Sequence, residues 1–409
     1  MDSILTRELT VGNYTFPNRV MIQPMEGCDG TGEGGISDLT RRRYMRFAES
    51  GVSLIWFEAC SVCREGRSNP RQLFLCDETK ESFKVLLDDM RARCKELYGY
   101  APIIVLQLNH SGRQSRPVDV PRAIYGNQND YLDKMKPITK DAVFATEEYL
   151  DTLPSKFVAS AKLALEVGFD GVDVKCCHGY LFNEMMAAYN RDDKYGGKSI
   201  DNRARLYLDS FKAVKEAVGD DMLVTSRFGA YDGFEYPYGF GVNENNEEDL
   251  SEAFYVIEKL EAMGLDLLNI TIGNPYVNPH VNRPYKVQSP EDGKIGVARI
   301  KRITKAIAER FPNIAIIESG MTFAGGNAMV EAEEDLNNGV AKMVGFGRMA
   351  FAYPEFYQDY VKTGSIDPKK VCICCGNCSK MMRAGGVAGC PVRDTAFFMP
   401  IFKELMAKK

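Results

Sequence analysis

Gly168 to Tyr180 reads GFDGVDVKCCHGY. The segment before it places Phe157, Ala161, Ala164 and Leu165 on one helical face. Gly168 can end that helix in the left-handed conformation. The apolar run that follows is too short for a helix and too apolar for a strand with one wet face. It suits a parallel strand buried on both sides, leading into a lysine, two cysteines, a histidine and a tyrosine.

The same pattern recurs along the chain. Amphipathic segments end at glycine before GVSLIWFE (from Gly51), GLDLLNIT (from Gly264) and GVAKMVGF (from Gly339). Further runs are RVMIQP (from Arg19), PIIVLQL (from Pro102), MLVTSRF (from Met222) and NIAIIES (from Asn313). Between them, Phe83, Leu86, Leu87, Met90, Cys94 and Leu97 share a helical face, as do Phe254, Ile257, Leu260 and Met263. Eight buried strands, each followed by a helix, predict an α/β fold of the (β/α)8 TIM-barrel type, with a doubly wound open sheet as the alternative. Two βα connections are long, about 111–153 and 273–296, and are expected to hold substrate.

The 409 residues are 45% apolar and 26% charged, with a net charge of −5. That balance argues against nucleic-acid and membrane partners. The N-terminus lacks a basic segment leading into an apolar run, and no stretch approaches the ~20 apolar residues of a membrane span, so a cytoplasmic location is expected. Twelve cysteines then point to a reducing compartment, where thiols bind metal, react or pack. With only His110, His178 and His280 present, a histidine-based metal site is nearly excluded by count.

In such a barrel, chemistry sits where strands end. Those positions hold Pro24, Met25 and Glu26; Glu58 and Ala59; Gln107 and His110; Lys175, His178 and Tyr180; then Arg227, Thr271, Gly320, Gly347 and Arg348.

From about Leu9 to Cys390 the chain resembles the Old Yellow Enzyme family of flavin oxidoreductases, in the branch of 2,4-dienoyl-CoA reductase and trimethylamine dehydrogenase. The resemblance is carried by VGNYTFPNRVMIQPM, GVSLIWFEACSV, LQLNHSGRQ, GFDGVDVKCCHGYLFNEM, NRDDKYGG and MVGFGRMAFAYP, in that order. It implies FMN at the barrel mouth, touching Pro24, Met25, Glu26 and Ala59. Gln107 would pair with the flavin pyrimidine edge, Arg227 would lie near N1 and C2=O, and Gly320, Gly347 and Arg348 would hold the phosphate. Loops after strands 7 and 8 of a barrel commonly bind phosphate, which agrees.

The resemblance also implies an ene-reductase. Hydride would pass from flavin N5 to an activated C=C bond, with Tyr180 as the proton donor and His178 and Lys175 polarising the acceptor. Lys175 replaces the family's usual histidine, and a fixed ammonium favours an anionic acceptor. Glu26 stands where the family places threonine or cysteine, so it is either protonated or turned away with Cys28 in its stead. GTGEGG at 30–35 matches G-x-G-x-x-G but starts too far from the strand end, and reads as a flexible loop.

Cys372, Cys375 and Cys378 form C-x2-C-x2-C, with Cys390 eleven residues further on. Four thiolates suit a [4Fe–4S] cluster, a zinc ion or a redox pair. The family branch implies the cluster, with the gaps one residue tighter here and Cys374 outside the register. Gly385, Gly386 and Gly389 would turn the chain back to Cys390. The expected division is an FMN barrel over 1–362 and an iron–sulfur extension over 363–409, without the FAD/NAD domain of full dienoyl-CoA reductases. Electrons would enter through the cluster from a ferredoxin or another flavoprotein, with NAD(P)H as an alternative external reductant. The substrate would be a small unsaturated, anionic molecule and the host anaerobic. A homo-oligomer is compatible with the sequence. Two other readings share these motifs: an amine or C–H dehydrogenase passing electrons outward, and a non-catalytic redox sensor.

Overall fold

A computed structural model describes residues 2–408. Eight parallel strands form its centre: β1 (Val20–Ile22), β2 (Leu54–Ser61), β3 (Ile103–Asn109), β4 (Gly171–Val174), β5 (Leu223–Gly229), β6 (Leu267–Thr271), β7 (Ala315–Glu318) and β8 (Met343–Phe346). Each pairs with its neighbours in sequence, and β8 pairs with β1 through Val344–Val20, Gly345–Met21 and Phe346–Ile22. That closure makes a TIM barrel and rules out the open sheet. The eight runs read from sequence are these eight strands. Gly51, Gly168, Gly264 and Gly339 have φ of 71°, 98°, 88° and 68°, the left-handed geometry that favours glycine.

The surrounding helices are α1 (Asp38–Ala48), α2 (Lys80–Tyr98), α3 (Leu153–Val167), α4 (Ile200–Val218), α5 (Ser251–Ala262), α6 (Gly293–Arg310) and α7 (Ala328–Asn337). After β8 come α8 (Arg348–Ala352) and α9 (Phe356–Thr363). The predicted apolar faces are buried except for Leu165, Phe254 and Met263, which are half-buried, and Leu97, which is 41% exposed in the last turn of α2. An antiparallel hairpin, Leu9–Val11 with Tyr14–Phe16, lies at one end. Its Val11 and Phe16 bury with Met21, Leu54, Trp56 and Met343. Among the described residues, this leaves the polar residues at the other end as the open face of the barrel interior.

Both long connections carry structure of their own. The first holds helices Asp130–Met135 and Glu147–Asp151 and the strand pair Ile124–Tyr125 with Val143–Phe144. Buried Arg191 ties it down by donating to the carbonyls of Gly126 (2.6 Å) and Ala145 (2.9 Å). Residues 30–35 are held rather than free: Thr31 N–H donates to the Gly35 carbonyl at 3.0 Å and Gly34 N–H to that of Thr31 at 3.1 Å.

Beyond α9, the chain crosses the barrel mouth and forms α10 (Asn377–Arg383) and α11 (Thr395–Ala407). Met381, Val387 and Phe398 form a small core against Leu39 of α1. Arg42 and Arg46 of α1 each donate to Asp394 at 2.8 Å. Ala388 N–H donates to the Gly27 carbonyl at 2.7 Å, which joins this segment to the loop after β1. A Cβ on Gly389 would stand 2.2 Å from the Phe398 ring, so only glycine fits the turn into Cys390.

Candidate active site

A cavity of about 270 Å³ opens at the mouth of the barrel. All twelve residues singled out from sequence for cofactor and catalysis border it: Pro24, Met25, Glu26, Ala59, Gln107, Lys175, His178, Tyr180, Arg227, Gly320, Gly347 and Arg348. Cys378 and its neighbours Ser379, Met382 and Arg383 on α10 complete the wall.

A shift in register between Trp56 and Ala59 of β2 turns Ala59 inward. Glu58 faces the other way, where its carboxylate meets Arg43 and accepts from Gly27 N–H at 2.7 Å. Arg43 also donates to Asp29 at 2.7 Å, so the triad fixes the loop bearing Glu26. In the barrel interior, Asp173 accepts from Gln107 Nε2 (2.6 Å), Trp56 Nε1 (2.9 Å) and Arg227 N–H (2.8 Å). Burial nevertheless raises its pKa to about 6. With its nitrogen committed, Gln107 presents its oxygen as an acceptor for an imide N–H.

Arg227 is 9% exposed and its Nε has no hydrogen-bond partner, while one terminal nitrogen donates to the Pro24 carbonyl at 3.3 Å. Burial lowers its pKa, but a guanidinium stays charged. A buried cation with an orphaned donor calls for an anionic or strongly polar acceptor. Arg283 stands near Arg348, at the end of the cavity bordered by Gly320 and Gly347, and burial together with that second cation lowers its pKa to about 10. Neither forms an ion pair among the described residues, and such a pair of guanidiniums suits a dianion. The donor set therefore fits a flavin bearing a terminal phosphate.

The catalytic candidates lie on the loop after β4. His178 (φ 66°) and Gly179 (φ 69°) both take left-handed backbone, which turns the chain so that His178 and Tyr180 face the cavity. Asn282 Nδ2 donates to the Ile272 carbonyl at 3.0 Å, which orients the amide, and to His178 Nε2 at 2.9 Å. The ring proton is then on Nδ1. Burial and the nearby Arg227 and Lys175 cations hold the His178 pKa well below its usual value, so the ring is neutral.

Lys175 Nζ lies 4.0 Å from the centroid of the Tyr180 ring and has no carboxylate partner among the described residues. Burial lowers its pKa to about 8. The Tyr180 hydroxyl donates to Glu26 at 3.3 Å and shares a 2.7 Å hydrogen bond with Tyr276. Glu26 is held in turn by the Ser68 hydroxyl and by Asn69 Nδ2 at 2.8 Å. Glu26 is thus turned toward the tyrosine, and Cys28 is buried outside the cavity wall.

Sequence reasoning missed Tyr276, Asn282 and Arg283, which come from the long connection after β6, and Ser68 and Asn69, which support Glu26. No spacing marked them. They lie in loops, and only the closed fold brings them to the mouth.

The tail cysteines fall into two groups. Cys372, Cys375, Cys378 and Cys390 are partly exposed, whereas Cys374 is 1% exposed with its thiol 3.7 Å from the Thr322 carbonyl. Among the described residues, no three His, Cys, Asp or Glu side chains are gathered as on a single ion, and all twelve cysteines are free thiols. The donor set is purely sulfur, which fits the four cysteine thiolates of a [4Fe–4S] cluster.

The chain belongs to the NADH:flavin oxidoreductase / NADH oxidase family, whose model matches residues 5–364. It is 27% identical over 385 residues to an NADH oxidase of Thermoanaerobacter brockii, covering 91% of this chain and 52% of that one. It is 30% identical over 244 residues to an NADPH dehydrogenase of Clostridium acetobutylicum, covering 58% and 66%. The chain thus covers 52% of the first relative's length and 66% of the second's. In fold it is similar to a 2-naphthoyl-CoA reductase, with TM-score 0.79, 18% identity and coverage of 98% of this chain and 58% of that one. An Old Yellow Enzyme from Pichia sp. AKU4542 gives TM-score 0.67 and 22% identity, covering 89% and 87%. Among the described residues, no helix is long and apolar enough to cross a membrane.

Proposed function

We propose that this protein is an FMN-dependent ene-reductase acting on a C=C bond conjugated to an anionic acceptor. The observation that carries the reading is the single cavity bordered by Gln107, Arg227, Arg348, Lys175, His178 and Tyr180. Gln107, Arg227 and the Arg283–Arg348 pair would hold FMN, which when bound supplies hydride to the β-carbon of the substrate. Arg227 favours the electron-rich ring because its charge is buried and lacks a carboxylate. Lys175 and the Nδ1–H of His178 polarise the acceptor and stabilise the developing enolate. Tyr180 gives its hydroxyl proton to the α-carbon; with the hydride this completes the addition of two electrons and two protons across the double bond. Tyr276 and Glu26 fix the orientation of that hydroxyl.

Cys372, Cys375, Cys378 and Cys390 would hold a [4Fe–4S] cluster, which supplies one-electron transfer beside a two-electron cofactor. Cys378 borders the flavin cavity, which supports that arrangement. The electron donor would be a ferredoxin or a flavoprotein, with NAD(P)H acting directly as the alternative. The test is anaerobic purification with visible spectra and iron and sulfide counts, followed by reoxidation of dithionite-reduced protein with a panel of enoates and amines. Enoate-driven reoxidation is expected. Colourless, iron-free protein, or reoxidation by none of the enoates, would overturn the reading.

A further inference from the structure

Two more cations stand beside Tyr276 of the cavity wall, Arg383 in the wall itself and Lys136 just behind it. Lys136 comes from the long connection after β3, and Arg383 comes from α10 of the extension. Lys136 Nζ lies 4.5 Å from the centroid of the Tyr276 ring and donates to Gln114. Arg383 borders the cavity and donates to the carbonyl of Pro275, next to Tyr276, at 3.1 Å. The two are near enough that Arg383 adds to burial in lowering the Lys136 pKa to about 8. Neither has an acidic partner among the described residues. Asp133, three residues before Lys136, is taken by Arg113.

The order of groups from rim to floor is a ladder. Lys136 lies over Tyr276; the Tyr276 and Tyr180 rings meet edge to face at 5.9 Å; Lys175 lies on Tyr180. Unpaired ammonium groups therefore bracket the reacting tyrosine on both sides. Lys175 in the cavity wall and the Lys136–Arg383 pair beside it form no ion pair among the described residues, and such separated cations are costly unless a ligand brings charges to both.

We propose that the substrate is a dianion: a conjugated carboxylate seated at Lys175 and a second oxyanion, carboxylate or phosphate, seated at Lys136 and Arg383. This rests on the ene-reductase reading for its chemistry. The rim pair sets specificity and does not touch the reacting carbons, so its contribution belongs in KM.

The test uses the full holoenzyme and three substrates of equal chain length: a 2-enoic acid with an apolar end, the same acid with a terminal carboxylate, and the same acid with a terminal phosphate monoester. The carboxylate- or phosphate-tipped compound should exceed the apolar-tipped one at least about tenfold in kcat/KM, a difference of about 1.4 kcal/mol. Which of the two is preferred identifies the source of the oxyanion. In K136M and R383M the preference should collapse through KM, and in the wild type it should weaken with added salt. Lys136 and Arg383 are exposed as whole residues, with the Lys136 ammonium alone covered, so both variants should fold, which their Tm checks. Calorimetric binding of the saturated mono- and diacids provides a readout independent of turnover. Equal affinity of the wild type for both would overturn the dianion proposal. Tight, rim-dependent diacid binding with no enoate turnover would instead overturn the ene-reductase reading alone.

Discussion

The Tyr180 hydroxyl donates to the Glu26 carboxylate at 3.3 Å, so the proposed proton donor is held against a negative charge. Burial, and then that charge, push the Tyr180 pKa well above its usual value. Glu26 therefore holds the proton on Tyr180 and opposes its release. In E26Q the charge is gone while Ser68 and Asn69 still have an oxygen to bond. The Tyr180 pKa should fall toward the ordinary tyrosine value without reaching it, because burial is the larger cause. With a methyl ester as substrate, whose turnover does not depend on the Lys175 charge, the alkaline limb of the pH profile of kcat should move to lower pH. An unmoved limb would show that Tyr180 is not the titrating acid.

Lys175 gives a second pH dependence of known sign. Its ammonium form, present below about pH 8, is the one that can seat a carboxylate. Turnover of an enoate should thus fall as pH rises through that range, while turnover of its methyl ester should not. K175M should lower kcat/KM for the acid by roughly 100-fold, the scale of losing one oxyanion donor, and should affect the ester far less. Equal losses for acid and ester would remove the carboxylate from the argument.

Arg227 forms no ion pair among the described residues, although Asp173 lies near enough to favour its charge, and that predicts how its loss divides between stability and binding. Taking a cation out of water costs free energy, and an apolar side chain of similar length does not incur that cost. R227M apoprotein should accordingly keep or raise its Tm. FMN should bind at least about tenfold more weakly, or about 1.4 kcal/mol, by fluorescence titration of the apoprotein. A variant that binds FMN as tightly as wild type would place the flavin elsewhere.

The barrel was legible because a strand buried on both faces leaves a run such as GVDV or IIVLQL that no half-exposed element would show. The left-handed glycines made the helix ends visible too. The strand-end residues of the site were legible for the same reason, since chain order fixes which residues follow each strand. The residues that arm Tyr180 were not. Tyr276 lies in the connection between β6 and α6, and Ser68 and Asn69 in the loop after β2; their positions depend on loop packing. Glu26 shows the difference well. Its position was clear from sequence, but whether it faced the site was decided by Ser68, Asn69 and Tyr180. Lys136 carried no signal at all, because its meaning comes from lying on Tyr276 beside Arg383.

The five tail cysteines differ in ways that assign them separate outcomes. Cys378 starts the helix that borders the flavin cavity, and with Cys372, Cys375 and Cys390 it is partly exposed. Cys374 instead turns inward to the Thr322 carbonyl, in the loop after β7. Wild-type protein prepared without oxygen should carry about four iron and four sulfide per chain. C378S should lose most of both, together with the broad absorption near the flavin bands, and should keep FMN, since Arg227, Gln107 and the Arg283–Arg348 pair are untouched. C374S should keep the full complement, because its thiol is committed to packing. If C374S loses iron as completely as C378S does, then Cys374 is a ligand and the tail binds its metal in a different register.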